Sequence, residues 1–259
     1  MNDSIFLPRL QDILERLARS QGETFRRVAG RMADCIAGGG LVHFFGSGHS
    51  VIPVLDAFPR YGSFVGLNPL TDPRLMWWNV LGPGGVRELL WLEREEGYVR
   101  SFLSNHPIGE GDVLVVFSHG GRNAAPVEGA MYAREQGATV VAVTSLANLA
   151  GPPEHSSGLR LADLADLVID TCVPVEDAIV TLEGWGRPVA GASTIVACAI
   201  VGELLARTAS ELLTRGITLP TFVSPTMADA SVESNNAVFE AHRHRLAEAA
   251  KRTAASPAR

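Results

Sequence analysis

Two segments of the chain gather serine, histidine and glycine directly after an apolar run: FGSGHS at 45–50 and FSHGGRN at 117–123. A glycine-rich turn that opens a helix aims backbone N–H groups and hydroxyls at one point, where the helix dipole is also positive. That is chemistry for holding an anion. A third apolar run, VVAVTS, ends on Thr144 and Ser145. The same device used twice points to a phosphorylated small molecule.

Other anion chemistries fit less well. The first loop lacks the third glycine of a dinucleotide fingerprint, and no acidic residue closes a second strand about twenty positions later. No Gly-Lys-Ser/Thr run supplies the lysine and magnesium arrangement of a nucleotide-hydrolysing loop. A sugar phosphate suits the loops better than a nucleotide. His49, His119 and His155 lie in or near these loops and are able to donate to phosphate or shuttle a proton, and Arg122 offers a bidentate donor pair. His43, inside an apolar run, reads as a hydrogen-bonded core residue, whereas His106, His242 and His244 read as surface positions. Trp77, Trp78, Trp91 and Trp185 read as packing or subunit-contact residues before sugar-stacking ones. No histidine, cysteine or carboxylate set has metal-ligand spacing, so neither a metal nor an organic cofactor is expected.

The elements that position these residues follow from periodicity. Ile5 to Leu17 and Phe25 to Ile36 repeat at helical spacing and stop at Gly38-Gly39-Gly40. LVHFF then reads as a buried strand, Val51 to Phe58 as a helix, Phe64 to Leu67 as a second strand and Glu88 to Leu103 as a helix. Val113–Phe117, Ala124–Gln136 and Thr139–Val143 form a βαβ unit with parallel strands, and Leu167–Asp170 adds another strand. The loop LANLAGPPEHSSG is long enough to be a lid or binding element. Val189–Arg215 and Val232–Lys251 read as terminal helices, with the final SPAR expected to fray into a tail.

Length and composition agree with one α/β domain over 1–259: helices in 1–40, an α/β core in 41–220, and a helix and tail in 221–259. A net charge of -6 argues against a nucleic-acid partner. Three cysteines, an odd number, imply reduced thiols and a cytoplasmic protein. The N-terminus has no signal-peptide core, and the longest apolar run is interrupted by glycine and polar residues, so no membrane association is expected.

FGSGHS, FSHGGRNAAPVEGA and VVAVTS together resemble the sugar isomerase, or SIS, domain. DPRLM (72–76), REEGY (94–98), GDVLVV, HSSG (155–158), ADLVIDTCVP, GASTI and FVSPTMAD resemble a bacterial SIS branch near the N-acetylmuramic acid 6-phosphate etherases and phosphoheptose isomerases. The resemblance implies a three-layer αβα sandwich with a mainly five-stranded parallel sheet of flavodoxin-like type, and a homodimer or tetramer. It implies a sugar phosphate held by Ser47 and Ser50 of the first loop, Ser118 and Asn123 of the second, and Thr144 and Ser145 of the third; the loop glycines Gly48 and Gly120 and the bidentate guanidinium of Arg122 are the other expected phosphate contacts. Gly120 stands where the family usually carries a further hydroxyl, and Leu55-Asp56 stands where close relatives carry paired glutamates.

Proton abstraction from a sugar needs a base beside an acidified C–H and an acid beside the leaving oxygen. Asp56 and Glu96 are the expected carboxylates, with His49 and His155 assisting. Glu96 is preferred over Glu93 and Glu95 because it falls in the REEGY match. The expected reaction is dehydration or elimination on an N-acetylhexosamine 6-phosphate. Aldose–ketose isomerisation and non-catalytic sensing of a sugar phosphate are the alternatives.

Overall fold

Five short apolar runs pair into one all-parallel sheet in the computed structural model, which describes residues 4–227 and 231–255. They are β1 (Val42–Gly46), β2 (Leu67–Leu70), β3 (Val113–Phe117), β4 (Thr139–Thr144) and β5 (Leu167–Asp170), in spatial order β2-β1-β3-β4-β5. Val42 of β1 is in register with Leu67 on one side and Val113 on the other, and Val113 with Thr139. The helices are α1 (Leu7–Ser20), α2 (Gly22–Ala37), α3 (Val51–Ala57), α4 (Val86–Leu92), α5 (Tyr98–Leu103), α6 (Ala124–Glu135), α7 (Leu161–Leu164), α8 (Ser193–Thr214) and α9 (Val232–Ala255). A short antiparallel pair, β6 (Ala178–Val180) and β7 (Val189–Gly191), precedes α8.

Strands covered on both faces carry apolar residues at every position, and alternate side chains then serve opposite layers. Phe44, Val113, Val115 and Phe117 pack with α1, α2, α3 and α8, while Phe45, Leu114, Val116 and Val140 pack with α5, α6 and α7. The result is the expected αβα sandwich. His43 is the polar exception in β1: fully buried, it meets Asn68 Nδ2 through Nδ1 at 2.9 Å and Asp112 Oδ2 through Nε2 at 3.5 Å. Arg245 and Arg252 of α9 donate to the carbonyls of Ile36, Gly40 and Gly39, tying that helix to the end of α2.

Several elements depart from expectation. β2 begins at Leu67 rather than covering Phe64 to Leu67, because Gly66 turns the chain at φ 114°; Pro69 is tolerated because β2 is an edge strand. The helix expected from Glu88 to Leu103 is two, α4 and α5, separated where Gly97 takes φ 90°. The helix expected from Val189 starts at Ser193, after β7. His106 and His242 are half-buried against Phe102 and Phe58, and Trp78, Trp91 and Trp185 are exposed rather than core. Ala228 and Asp229 of FVSPTMAD, the tail after 255 and residues 1–3 of the N-terminal segment lie outside the described residues. Among the described residues no helix is long and apolar enough to cross a membrane.

Two glycines in the loops test how tightly the sheet ends are built. A Cβ at Gly46 would sit 2.3 Å from the Ser50 carbonyl oxygen, whereas one at Gly120 would meet nothing within 4 Å. Gly46→Ala is therefore expected to cost about 1–3 kcal/mol by overpacking, and Gly120→Ala to lie within about 0.5 kcal/mol of wild type. Urea unfolding of the two variants checks this. Equal stabilities would contradict it.

Candidate functional site

In an open parallel sheet, ligands bind beyond the carboxyl ends of the strands where the winding direction reverses, and for this strand order that point lies between β1 and β3. Those two strand ends carry the two glycine-serine loops. After β1, Ser47 is extended, Gly48 takes φ 59°, and a short 3-10 turn over Gly48–Ser50 leads into α3. After β3, the Ser118 hydroxyl accepts from the Gly121 amide at 3.0 Å, and Gly121 at φ 61° packs so closely on Thr144 Oγ1 that a Cβ would lie 2.9 Å from it. Asn123 is the residue before α6.

The two loops meet on Glu93, the residue that ends α4. Ser47 Oγ donates to Glu93 Oε2 at 2.9 Å, and Asn123 Nδ2 and Arg94 Nη1 donate to Oε1 at 3.0 and 2.9 Å. The carboxylate is buried, at 9% exposure. Its backbone is fixed as well, since the Ala125 amide at the start of α6 donates to the Glu93 carbonyl at 3.0 Å. Three donors from three chain segments around one buried carboxylate form a set built for a negative charge.

The remaining expected residues sort by where their polar atoms go. Asp56 of α3 pairs with Arg60, just past the end of that helix, and makes no hydrogen bond to either loop among the described residues. Glu96 is exposed and accepts from the amide and hydroxyl of Ser156 at 2.7 and 2.5 Å, hydrogen bonds that hold its carboxyl below the usual carboxylate pKa. His155 lies between Glu96, 3.7 Å from Nε2, and Glu128, at 4.0 Å, so these residues join the long loop to the α4–α5 turn and α6. His49 is exposed and packs on Trp77, with ring centroids 4.4 Å apart. Arg122 pairs with Glu154 at 3.1 Å. Thr144 and Ser145 are buried, with hydroxyls donating to the carbonyls of His119 and Val173, so they brace the loops. Ser50 and Ser118 line a small cavity between the loops.

That cavity is completed by residues that periodicity had not singled out: Thr171 after β5, and Ser193 and Thr194 at the start of α8. His119 is on its wall. A wider, open cleft lies beyond Ser145 between α1 and the β5–β6 segment, lined by Arg9, Arg16, Arg19, Asp170, Cys172 and Glu176. There Arg16 donates to the Cys172 carbonyl and Arg19 pairs with Glu15, contacts of an ordinary charged surface.

Residues 6–145, which run from the first helix through both loops to the end of β4, match the SIS domain model. The chain belongs to the SIS family. Within it, this SIS chain is a member of the UPF0309 proteins. It is 35% identical to a UPF0309 protein of Streptomyces coelicolor over 93% of its own length and 95% of the relative's. It is also 31% identical to one from Listeria innocua over 90% and 93%. Its fold is similar to the phosphoheptose isomerase of Neisseria gonorrhoeae, with a TM-score of 0.54 and 16% identity over 79% of this chain and 95% of that one. The Francisella tularensis phosphoheptose isomerase gives 0.52 and 15% over 78% and 94%.

Two motifs of the SIS chain, DPRLM and REEGY, meet in space. The Tyr98 hydroxyl donates to the buried Asp72 carboxylate, which also accepts from the Arg74 amide at 2.9 Å and Nε at 3.1 Å. Burial pushes Asp72 up, but the hydrogen bonds from Arg74 and Tyr98 outweigh it and leave the carboxyl below its usual pKa. Burial, and then the hydrogen bond to Asp72 and its charge, push the Tyr98 phenol up to about 12. This contact anchors the segment that presents Trp77 to His49. Tyr98→Phe is expected to cost about 1–3 kcal/mol at neutral pH, because it leaves a desolvated carboxylate short of a donor. A depressed folded-state pKa stabilises above the unfolded value, near 4, and that stabilisation is lost as pH falls through the folded value. The gap between wild type and variant in urea unfolding should therefore narrow below about pH 4. A gap that widens in acid would contradict the assignment.

Proposed function

We propose that the chain binds a sugar phosphate at the β1/β3 switch point and moves a proton on it, with Glu93 as the proton-transfer carboxylate. The observation that carries this reading is the convergence of Ser47 and Asn123 on that one buried carboxylate. The SIS family match and the fold shared with phosphoheptose isomerases support a phosphosugar ligand and isomerase-type chemistry.

In this reading the hydroxyls of Ser50 and Ser118 hold the phosphoryl group and the backbone turn at Gly48 lets the ligand approach closely. Substrate hydroxyls displace Ser47 and Asn123 from Glu93, whose carboxylate then faces a carbon acidified by a neighbouring carbonyl. Arg94 stays on Oε1 and keeps the carboxylate in place. Trp77 and His49 form a wall for the sugar. Glu96 and His155 secure the long loop beside this centre, and Asp56 takes no part.

Aldose–ketose isomerisation and elimination share their first step, removal of a proton next to a carbonyl, and differ in whether the resulting enolate is reprotonated or expels a leaving group. The resemblance to the etherase neighbourhood makes N-acetylhexosamine 6-phosphates the first substrates to try, ahead of hexose and heptose phosphates. Incubation in D2O with NMR detection reads both outcomes. Deuterium at the carbon beside the carbonyl, with a ketose or a dehydrated product, is expected for wild type. Glu93→Gln should lower that exchange by about 10²–10⁴-fold while sugar-phosphate binding stays within about tenfold. Exchange undiminished in Glu93→Gln, or wild-type binding with no exchange on any sugar phosphate, would overturn the proposal.

A further inference from the structure

Helix α6 grips the segment that carries Glu93 at three points. Asn123, the residue before the helix, donates from Nδ2 to the Glu93 carboxylate at 3.0 Å. The Ala125 amide donates to the Glu93 carbonyl at 3.0 Å. Three residues further along, on the same face of the helix, Glu128 Oε1 accepts from the Gly97 amide. Gly97, at φ 90°, is the residue at which the chain enters α5. The side chain of Glu93, its backbone and the far end of its turn are thus all referred to one helix.

Glu128 is a buried carboxylate to which the proposed reaction gives no task. It lies in a buried stretch, Ala124 to Ala130, whose other members are alanine, proline, valine and glycine. Its Oε2 is buried and has no hydrogen-bond partner among the described residues. A buried carboxylate oxygen without a donor lowers stability, so packing alone does not account for an acid at this position. Its other oxygen is the one that serves the turn. Residues 94 and 95 bond back to Trp91 and Leu92 inside α4, whereas the Gly97 amide, past the end of that helix, is held by Glu128. The long loop meets the same atom, because Nε2 of His155, whose side chain is 7% exposed, lies 4.0 Å from Oε1.

We propose that Glu128 is a positioning residue for Glu93: by holding the Gly97 amide it fixes the turn that aims Glu93 at the ligand, and the long loop braces the same carboxylate through His155. The inference rests on reading Glu93 as the proton-transfer carboxylate. Glu128 touches no substrate and exchanges no proton with it. Its effect is on the aim of Glu93, and misplacing a reacting group by about 1 Å costs on the order of 10²-fold in rate. Ligand affinity, which resides in the hydroxyls of Ser50 and Ser118, is left alone. Loss of Glu128 therefore acts on turnover and not on binding, a split that a merely stabilising residue does not produce once the protein is folded.

Deuterium exchange on an N-acetylhexosamine 6-phosphate, or on whichever hexose or heptose phosphate the wild-type chain exchanges, gives kcat and KM separately. Glu128→Leu, which removes the acceptor, should lower kcat by about 10- to 100-fold with KM within about threefold. Glu128→Gln keeps an oxygen for the Gly97 amide and should hold kcat within about threefold of wild type. Where Glu128→Leu does not fold, Gly97→Ala decides: it leaves Glu128 in place and strains the left-handed turn, although an added Cβ there meets nothing within 4 Å. It should lower kcat by about tenfold at unchanged KM. A kcat kept in the deciding variant, a raised KM in place of a lowered kcat, or a Glu128→Gln variant as slow as Glu128→Leu overturns the inference. The Glu93 reading then still stands if Glu93→Gln has lost the exchange. Absence of exchange in the wild-type chain on every sugar phosphate overturns both.

Discussion

A carboxylate withdrawn from water has to be surrounded by donors, or its burial costs more than the fold can supply. Glu93 meets that demand with Ser47 from the loop after β1, Asn123 from the loop after β3, and its own neighbour Arg94. These contacts couple segments separated by 46 and 30 positions. The reversal of winding between β1 and β3 sets the two loops side by side, and Glu93 ties Ser47 of one to Asn123 of the other. Positions of Ser50, Ser118 and the α8 hydroxyls then follow from the strand and helix ends around it.

The same layout divides the polar residues into two kinds. Some have their hydrogen bonds consumed by the protein itself: Thr144 and Ser145 on carbonyls, Asp56 on Arg60, Glu96 on Ser156. They stabilise loops. Others line the small cavity with hydroxyls that a ligand is able to engage, namely Ser50, Ser118 and Thr194, whereas the Ser193 hydroxyl donates to Asp177 Oδ2 at 3.0 Å. Arg122 belongs with the first kind: it pairs with Glu154, and a Cβ on Gly151 would come within 2.0 Å of its Nη1, so its guanidinium is packed against the long loop. The cavity is therefore lined by hydroxyls and one imidazole, without a fixed cation.

Much of the fold was legible because parallel strands buried on both faces read as unbroken apolar runs, as in VLVVF and TVVAVT, and because Gly38-Gly39-Gly40 stops a helix. The loops after β1 and β3 were legible for the same reason: the strand end and the small residues are adjacent in sequence. β2 was misplaced by a few residues since a Pro-containing edge strand has little local signature, and Gly97 broke a helical pattern whose spacing alone did not reveal a left-handed turn. Which of three carboxylates in four residues turns inward after α4 ends depends on contacts to loops 30 to 46 positions away, and no spacing within REEGY distinguishes Glu93 from Glu96 in that respect. Ser193 and Thr194 join the cavity only through the packing of α8 against α2 and α3, which no local pattern encodes.

The account stands or falls on where a phosphosugar sits. A crystal structure of the chain with a bound hexosamine 6-phosphate measures this directly. The account predicts the phosphoryl group against Ser50 and Ser118, with the sugar carbons beside Glu93 and the Ser47 and Asn123 side chains turned to the sugar hydroxyls. A ligand seated instead in the open cleft beside α1, with Ser47 and Asn123 still bonded to Glu93, would contradict it.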